Sequence, residues 1–266
     1  MLRVRLPVLI PSCQMTLEIL TSDLLQPFRH GFFTRAGGAS SGVFHGLNCG
    51  YGSSDQHDIV RINRDRVAHA MDVAPPALTG VHQVHSPRVV HVDEVDPTAP
   101  PEADGIVSTR PDRAISVLTA DCMPILLGDP EAGVVGAAHA GWRGALSGVI
   151  EATLDAMETA GARRERVAAV IGPSISQASY EVGPEMFDDI TADAPETQRF
   201  FAAGAGDRMQ FDLPGYGLWR LRRAGVGQAE WVRHCTYADP LRFFSYRRST
   251  HRQEADYGRL IAAIRA

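Results

Sequence analysis

Two largely apolar runs in the middle of the chain, at 114–118 and 134–138, each lead to a residue that a metal ion would bind: Cys122 and His139. Short apolar runs bounded by turn residues read as strands buried on both faces. Between them Gly128, Asp129 and Pro130 mark a turn, because proline fixes φ and glycine relieves crowding. A chain that folds this way brings a soft thiolate and an imidazole to neighbouring strand ends, which is half of a zinc site. What else reaches that point decides the chemistry.

The 266 residues can form one large domain or two small ones, and 44% hydrophobic with 21% charged residues is the balance of a soluble globular protein. A net charge of −5 gives no electrostatic footprint for nucleic acid, and no apolar run is long enough to span a bilayer. The first residues carry a basic end and an apolar patch, but Pro7 and Pro11 interrupt it and no small-residue cleavage site follows. Met15 is a candidate initiator, and residues 1–14 are expected to be a disordered start-site extension ahead of a single domain at 15–266. Cys13, Cys49, Cys122 and Cys235 are scattered with no CxxC pair, so reduced thiols in a cytoplasmic protein are expected. That leaves Cys122 free to be a ligand or a nucleophile.

Taken in order, a strand at 31–34 runs into a glycine- and serine-rich loop at 35–42. With Arg35 at its mouth the loop either cradles an anion or is a flexible surface turn, and composition favours the turn. A helix over 58–73 places Val60, Val67 and Met71 on one face, with Asp55 or Asp58 as its cap. Residues 78–83 read as a strand and 89–92 as a second extended run. His85 stands at a strand end or bend, just ahead of Ser86-Pro87, and it matters only if it meets Cys122 and His139. His57, His69, His82 and His91 read as ordinary hydrogen-bonded groups. A loop covers 93–111. Leu146, Val149, Ile150, Leu154 and Met157 form the buried face of a helix over 144–160. Arg143, just before it, either holds an anion or forms a structural salt bridge. Further strands are expected at 167–171, 230–233 and 242–246, helices at 184–190 and 213–224, and a terminal strand or helix at 257–264. No repeat and no linker divides the chain.

His85, Cys122 and His139 together would make a three-ligand site with one position open to water, phosphate or substrate. Several motifs accompany them in order: HQVH at 82–85, ADG at 103–105, TADCMP at 119–124 and HAGWRG at 139–144. IGPS at 171–174, YEVG at 180–183 and FSYRR at 244–248 follow. This series closely resembles the polyphenol oxidase or laccase-domain family, whose members are also described as purine nucleoside phosphorylases. The resemblance covers nearly everything from 31 to 248.

The resemblance implies one α+β domain, an αββα-type layered sandwich with mixed β-sheets packed between helices. It implies a zinc at His85, Cys122 and His139, with Arg35, Asn48 and Arg143 lining the same pocket as substrate or phosphate contacts. The implied activity is phosphorolysis of adenosine, inosine, guanosine and methylthioadenosine, with adenosine deamination beside it. Zinc and Arg143 are then expected to orient phosphate or activate water, and Asp121 or Glu181 to stabilise charge developing on the ring and departing base. Two positions depart from the family: Ser174 stands where many members have Cys, and His251-Arg252 where a glycine-arginine pair is usual.

The laccase label conflicts with the ligand supply. A multicopper oxidase needs paired His-x-His ligands for a trinuclear cluster, and none of the 10 histidines forms one. Copper is expected only as a substitute in the zinc site, since divalent copper binds such donors more tightly. Two other readings remain open: a metal-free cysteine hydrolase of an amide such as a peptidoglycan precursor, with Cys122 as nucleophile, and a non-enzymatic metal-binding scaffold.

Overall fold

Apolar runs pair into three sheets in the computed structural model, which describes residues 16–96 and 98–266. The expected extension at 1–14, with Cys13, and Met15 lie outside the described residues. In chain order the strands are β1 (Ile19–Leu20), β2 (Arg29–Phe33), β3 (Leu78–Thr79), β4 (Val89–His91), β5 (Gly105–Ser108), β6 (Ala114–Thr119) and β7 (Met123–Asp129). There follow β8 (Val134–Ala140), β9 (Ala168–Ile171), β10 (Glu181–Val182), β11 (Phe201–Ala203), β12 (Met209–Phe211), β13 (Gln228–Trp231) and β14 (Leu260–Arg265). The helices are α1 (His57–Ala70), α2 (Trp142–Leu146), α3 (Val149–Thr159), α4 (Pro184–Asp193), α5 (Leu213–Arg223) and α6 (Tyr246–His251).

The first sheet runs β1-β2-β14-β6-β3 and is antiparallel except for the β3–β6 edge. The second runs β13-β9-β7-β8-β5-β4, antiparallel at its centre and parallel at both edges. A small antiparallel sheet, β10-β12-β11, stands apart.

Side chains alternate across each strand, and this separates the core into layers. From β7, Met123, Ile125 and Leu127 pack on Val149, Ile150, Leu154 and Met157 of α3 and on Leu213, Tyr216 and Leu221 of α5. Leu126 points the other way, onto Phe32, Ile115, Val117, Ala262 and Ile264 of the first sheet. The far face of that first sheet, with Phe33, Ala114, Ile261 and Ala263, packs on Val67, Ala68 and Met71 of α1. The layers are helix, sheet, sheet, helix. The expected mixed sheets between helices are therefore present, and β7 and β8 read as near-continuous apolar runs because both of their faces are covered.

Local structure departs from the sequence expectation in several places. The turn at 128–130 joins β8 not to the 114–118 run but to β7, a further strand whose apolar pattern Pro124 interrupts. The chain crosses from the first sheet to the second between Thr119 and Met123. The helix expected over 144–160 is broken in two at Gly148, which adopts φ 94°. Apolar periodicity does not register that break, because Leu146 and Val149 pack against one core. Neither Asp55 nor Asp58 caps α1. Gln56 holds that position without a side-chain bond, while Asp55 accepts hydrogen bonds from Ser40 (2.6 Å) and Asn48 (2.9 Å). The strand expected at 242–246 is instead a loop over 242–245 leading into α6, capped by the Ser245 hydroxyl, which accepts from the Arg248 N–H. Of the expected strand at 78–83, Leu78–Thr79 forms a strand and His82 an isolated bridge to Glu102, and the last segment is a strand at the centre of its sheet.

Among the described residues no helix is long and apolar enough to cross a membrane. Leu126 is fully buried between the sheets. Leu126→Ala should cost about 2–5 kcal/mol in urea unfolding; a loss well under 1 kcal/mol would refute face-to-face packing at that point.

Candidate metal centre and its cleft

Cys122 sits where the chain passes between the sheets, directly after Asp121, which takes φ 84°. His139 is next to last in β8, paired with Pro124 of the adjoining strand. His85 lies in a loop with φ 62°, a left-handed conformation that turns its ring toward the other two. The Cys122 Sγ is 3.8 Å from His85 Nε2, and the three potential ligand atoms lie within 4.8 Å of one another. The two imidazoles meet edge to face at 4.7 Å. Space for this cluster depends on Gly141, where a Cβ would stand 2.9 Å from the Cys122 sulfur and 3.0 Å from the His85 ring.

One buried carboxylate organises both histidines. The His139 Nδ1–H donates to Asp104 Oδ1 at 2.7 Å, which fixes the tautomer and leaves Nε2 for a metal. Oδ2 of the same group accepts from the Val84 N–H (3.1 Å), the Ser86 N–H (2.6 Å) and the Ser86 hydroxyl (2.9 Å), on either side of His85. Burial opposes ionisation of Asp104, but the bonds from His139 and Ser86 prevail and hold its carboxyl at about 2. Burial would likewise raise the Cys122 thiol, yet the charge and hydrogen bonds of His139 and His85 bring it down to about 7. His139 moves the opposite way: burial pulls it down, while Cys122 and Asp104 raise it to about 9. Both shifts favour a thiolate beside an imidazolium when no metal is bound.

The cluster opens into a cleft of about 700 Å³. Its walls include Tyr51, Tyr246 and Tyr257, with Arg64 and Arg259 set over the first and last of these rings. Thr79, Gln83 and Ser116 line its floor.

The other residues singled out in the sequence are dispersed. Arg143 is exposed, its guanidinium 4.5 Å from the centre of the Trp142 ring, with no ion pair among the described residues. Asp121 turns into the protein, where its carboxylate accepts from Thr236 Oγ1 (2.6 Å), Ser245 Oγ (2.9 Å) and the Arg247 N–H (2.7 Å). Asn48 is fully buried; it donates to Ser53 and Asp55 and accepts from the Gly50 and Arg259 N–H groups. Arg35 does not line the cleft; it donates to the carbonyls of His45 and Pro240 and stacks on Phe244. Glu181 is exposed on β10. Asp104 shows in the sequence only as the middle of the ADG motif at 103–105, which by itself assigns it no role.

Two outcomes follow from this geometry. Asp104→Asn should weaken zinc binding by about 10–100-fold, measured by chelator competition; unchanged affinity would remove Asp104 from the site. In metal-stripped protein, alkylation of Cys122 by iodoacetamide should rise as pH passes through about 7, with zinc suppressing it. A midpoint near that of an ordinary thiol, about 8.5, would show that no thiolate–imidazolium pair forms.

Residues 29–266 match the family described as multi-copper polyphenol oxidoreductase laccase. The chain is 40% identical over 246 residues to a purine nucleoside phosphorylase of Deinococcus radiodurans, covering 88% of each. It is 36% identical over 231 residues to one of Mycobacterium tuberculosis, covering 87% of this chain and 89% of the relative. Among solved structures, Neisseria meningitidis protein NMB0706 superposes with TM-score 0.85 at 32% identity, covering 94% of this chain and 98% of the other. YlmD from Geobacillus stearothermophilus does so with TM-score 0.83 at 27% identity, over 92% and 93%. By sequence match, by relatives and by fold, the chain belongs to the multi-copper polyphenol oxidoreductase laccase family.

Proposed function

We propose that the protein is a zinc-dependent purine nucleoside phosphorylase acting on adenosine, inosine, guanosine and methylthioadenosine, with adenosine deamination as a second activity. The observation that carries this reading is the convergence of His85, Cys122 and His139 on an open cleft with tyrosine walls. The names of the relatives support the same reaction. One thiolate and two imidazoles suit zinc, and the room left by Gly141 and the tautomer set by Asp104 fit a metal held by these three. Copper can take the same donors. Zinc there would supply a Lewis acid that polarises an oxygen or nitrogen and lowers the pKa of water toward about 7.

The protein's own groups then divide the remaining work. Tyr51, Tyr246 and Tyr257 offer flat faces on which a purine can stack. Arg143, exposed and without a described counter-ion, orients phosphate for attack on the anomeric carbon. Asp121 is a positioning residue, because both of its oxygens are committed to Thr236, Ser245 and Arg247. Asn48 has the same standing for the loop that carries Tyr51, and we assign it no substrate contact. Among the described residues a single three-residue group can hold a metal, which is too few donors for a multicopper oxidase despite the family's description.

A second reading rests on the contact of the Cys122 sulfur with His85 Nε2 at 3.8 Å, with His139 and His85 bringing the thiol down to about 7. Such a pair can act as nucleophile and acid in a cysteine hydrolase of an amide such as a peptidoglycan precursor. Metal dependence separates the two. Metal-quantified protein should release ribose 1-phosphate from adenosine or inosine only when phosphate is present, and Cys122→Ala should lose zinc and phosphorolysis together. Full phosphorolysis by zinc-free Cys122→Ala protein would sink the phosphorylase reading. Amide hydrolysis by metal-stripped wild type, blocked by alkylation, would establish the alternative.

A further inference from the structure

Beside the cleft lies a second, smaller pit of about 150 Å³, with Arg35, Arg248, Arg252, Glu254, Phe244 and Tyr257 in its lining. None of the three metal-binding residues reaches it, and Tyr257 is the wall it shares with the cleft. We propose that this pit binds a phosphate group, either free inorganic phosphate or the phosphoryl end of a monoester. The proposal stands on the pit's own geometry and does not depend on the reaction at the metal centre.

Three guanidinium groups face one carboxylate there. Arg248 is only 8% exposed, and its N–H groups donate to the carbonyls of Thr236, Tyr237 and Phe243. Arg35 is held by the carbonyls of His45 (2.9 Å) and Pro240 (3.0 Å) and by the Phe244 face at 4.3 Å. These acceptors are neutral. They fix the two cations in place without cancelling their charge, and neither arginine forms an ion pair among the described residues. Asp121, whose charge acts on Arg248 from the protein side, already accepts three hydrogen bonds. Arg252, more exposed, is 3.8 Å from Glu254.

Holding like charges together in a half-buried place is unfavourable unless an anion joins them. Burial together with the charges of Arg248 and Arg252 depresses the pKa of Arg35, as expected for a cationic cluster short of counter-charge. Arg35 Nη2 has no partner among the described residues, so a donor remains for the ligand. A carboxylate needs one planar fork, whereas three guanidinium groups converging from two segments, the loop at Arg35 and α6 with its C-terminal cap, suit a tetrahedral dianion.

Charge variants at the rim test this without disturbing Arg35 and Arg248, whose backbone bonds the local fold needs. Phosphate binding to the full chain is measured by calorimetry at low ionic strength, where Arg252 is least screened. Arg252→Gln should weaken binding about tenfold and Glu254→Gln should tighten it; a merely structural role would not reverse sign between the two. Cys122→Ser should leave binding unchanged. Adenosine 5′-monophosphate runs in parallel: tighter binding than phosphate identifies a monoester whose base passes Tyr257 into the cleft, and equal or weaker binding identifies free phosphate. The proposal is overturned if neither probe binds, if both rim variants leave affinity unchanged, or if Cys122→Ser abolishes binding.

Discussion

The carboxylate of Asp104 is the interaction on which the His85–Cys122–His139 cluster depends. It is fully buried and takes four hydrogen bonds, from His139 and from the backbone and hydroxyl groups that flank His85. An ionised carboxylate away from water is tolerable only with its lone pairs filled in this way. Its own N–H also donates to the Arg88 carbonyl, and its carbonyl accepts from the His139 N–H. Two ligands that come from a strand and from a loop are thus fixed by one side chain. Cys122 reaches them from the crossover between the two sheets, one residue before β7, whose pairing with β8 sets it beside His139.

Asp121 plays the corresponding part on the other side of the thiol. Through Thr236, Ser245 and Arg247 it ties the residue before Cys122 to the segment that carries Tyr246 and Arg248. One wall of the cleft and one side of the arginine pit therefore hang from the same carboxylate. Burial pushes that carboxyl upward, and the three bonds oppose it. Removing Asp121 would disturb all of these surfaces at once, so loss of activity alone does not make it a catalytic group.

How much could be read from the sequence follows from what side chains announce. Cys122 and His139 were visible because apolar runs lead straight to them, and the layered fold because those runs are covered on both faces. His85 gained its place only through the accompanying motifs, since its left-handed backbone and 3.8 Å approach to the thiol have no local signal. Arg35 and Asn48 were grouped with the metal pocket by resemblance. Residue type could not reveal that Asn48 bonds entirely within the protein, or that Arg35 faces a neighbouring pit. The break at Gly148 was hidden because both halves of the helical pattern pack on one core.

The order of the first sheet has a kinetic consequence. β14 lies between β2 and β6, and its register pairs Arg265 with Arg29 on one side and with Ala114 on the other. Such distant pairings carry a large loop-closure entropy and slow the search for the native state. β6 leads into Cys122, so the sheet that closes late adjoins the strand end next to the thiol, while the local β7–β8 pairing sets the thiol beside His139. A metal ion bound by His85, Cys122 and His139 would meet ligands drawn from separate segments of a large fold, unlike the zinc of a small finger domain, which drives folding itself.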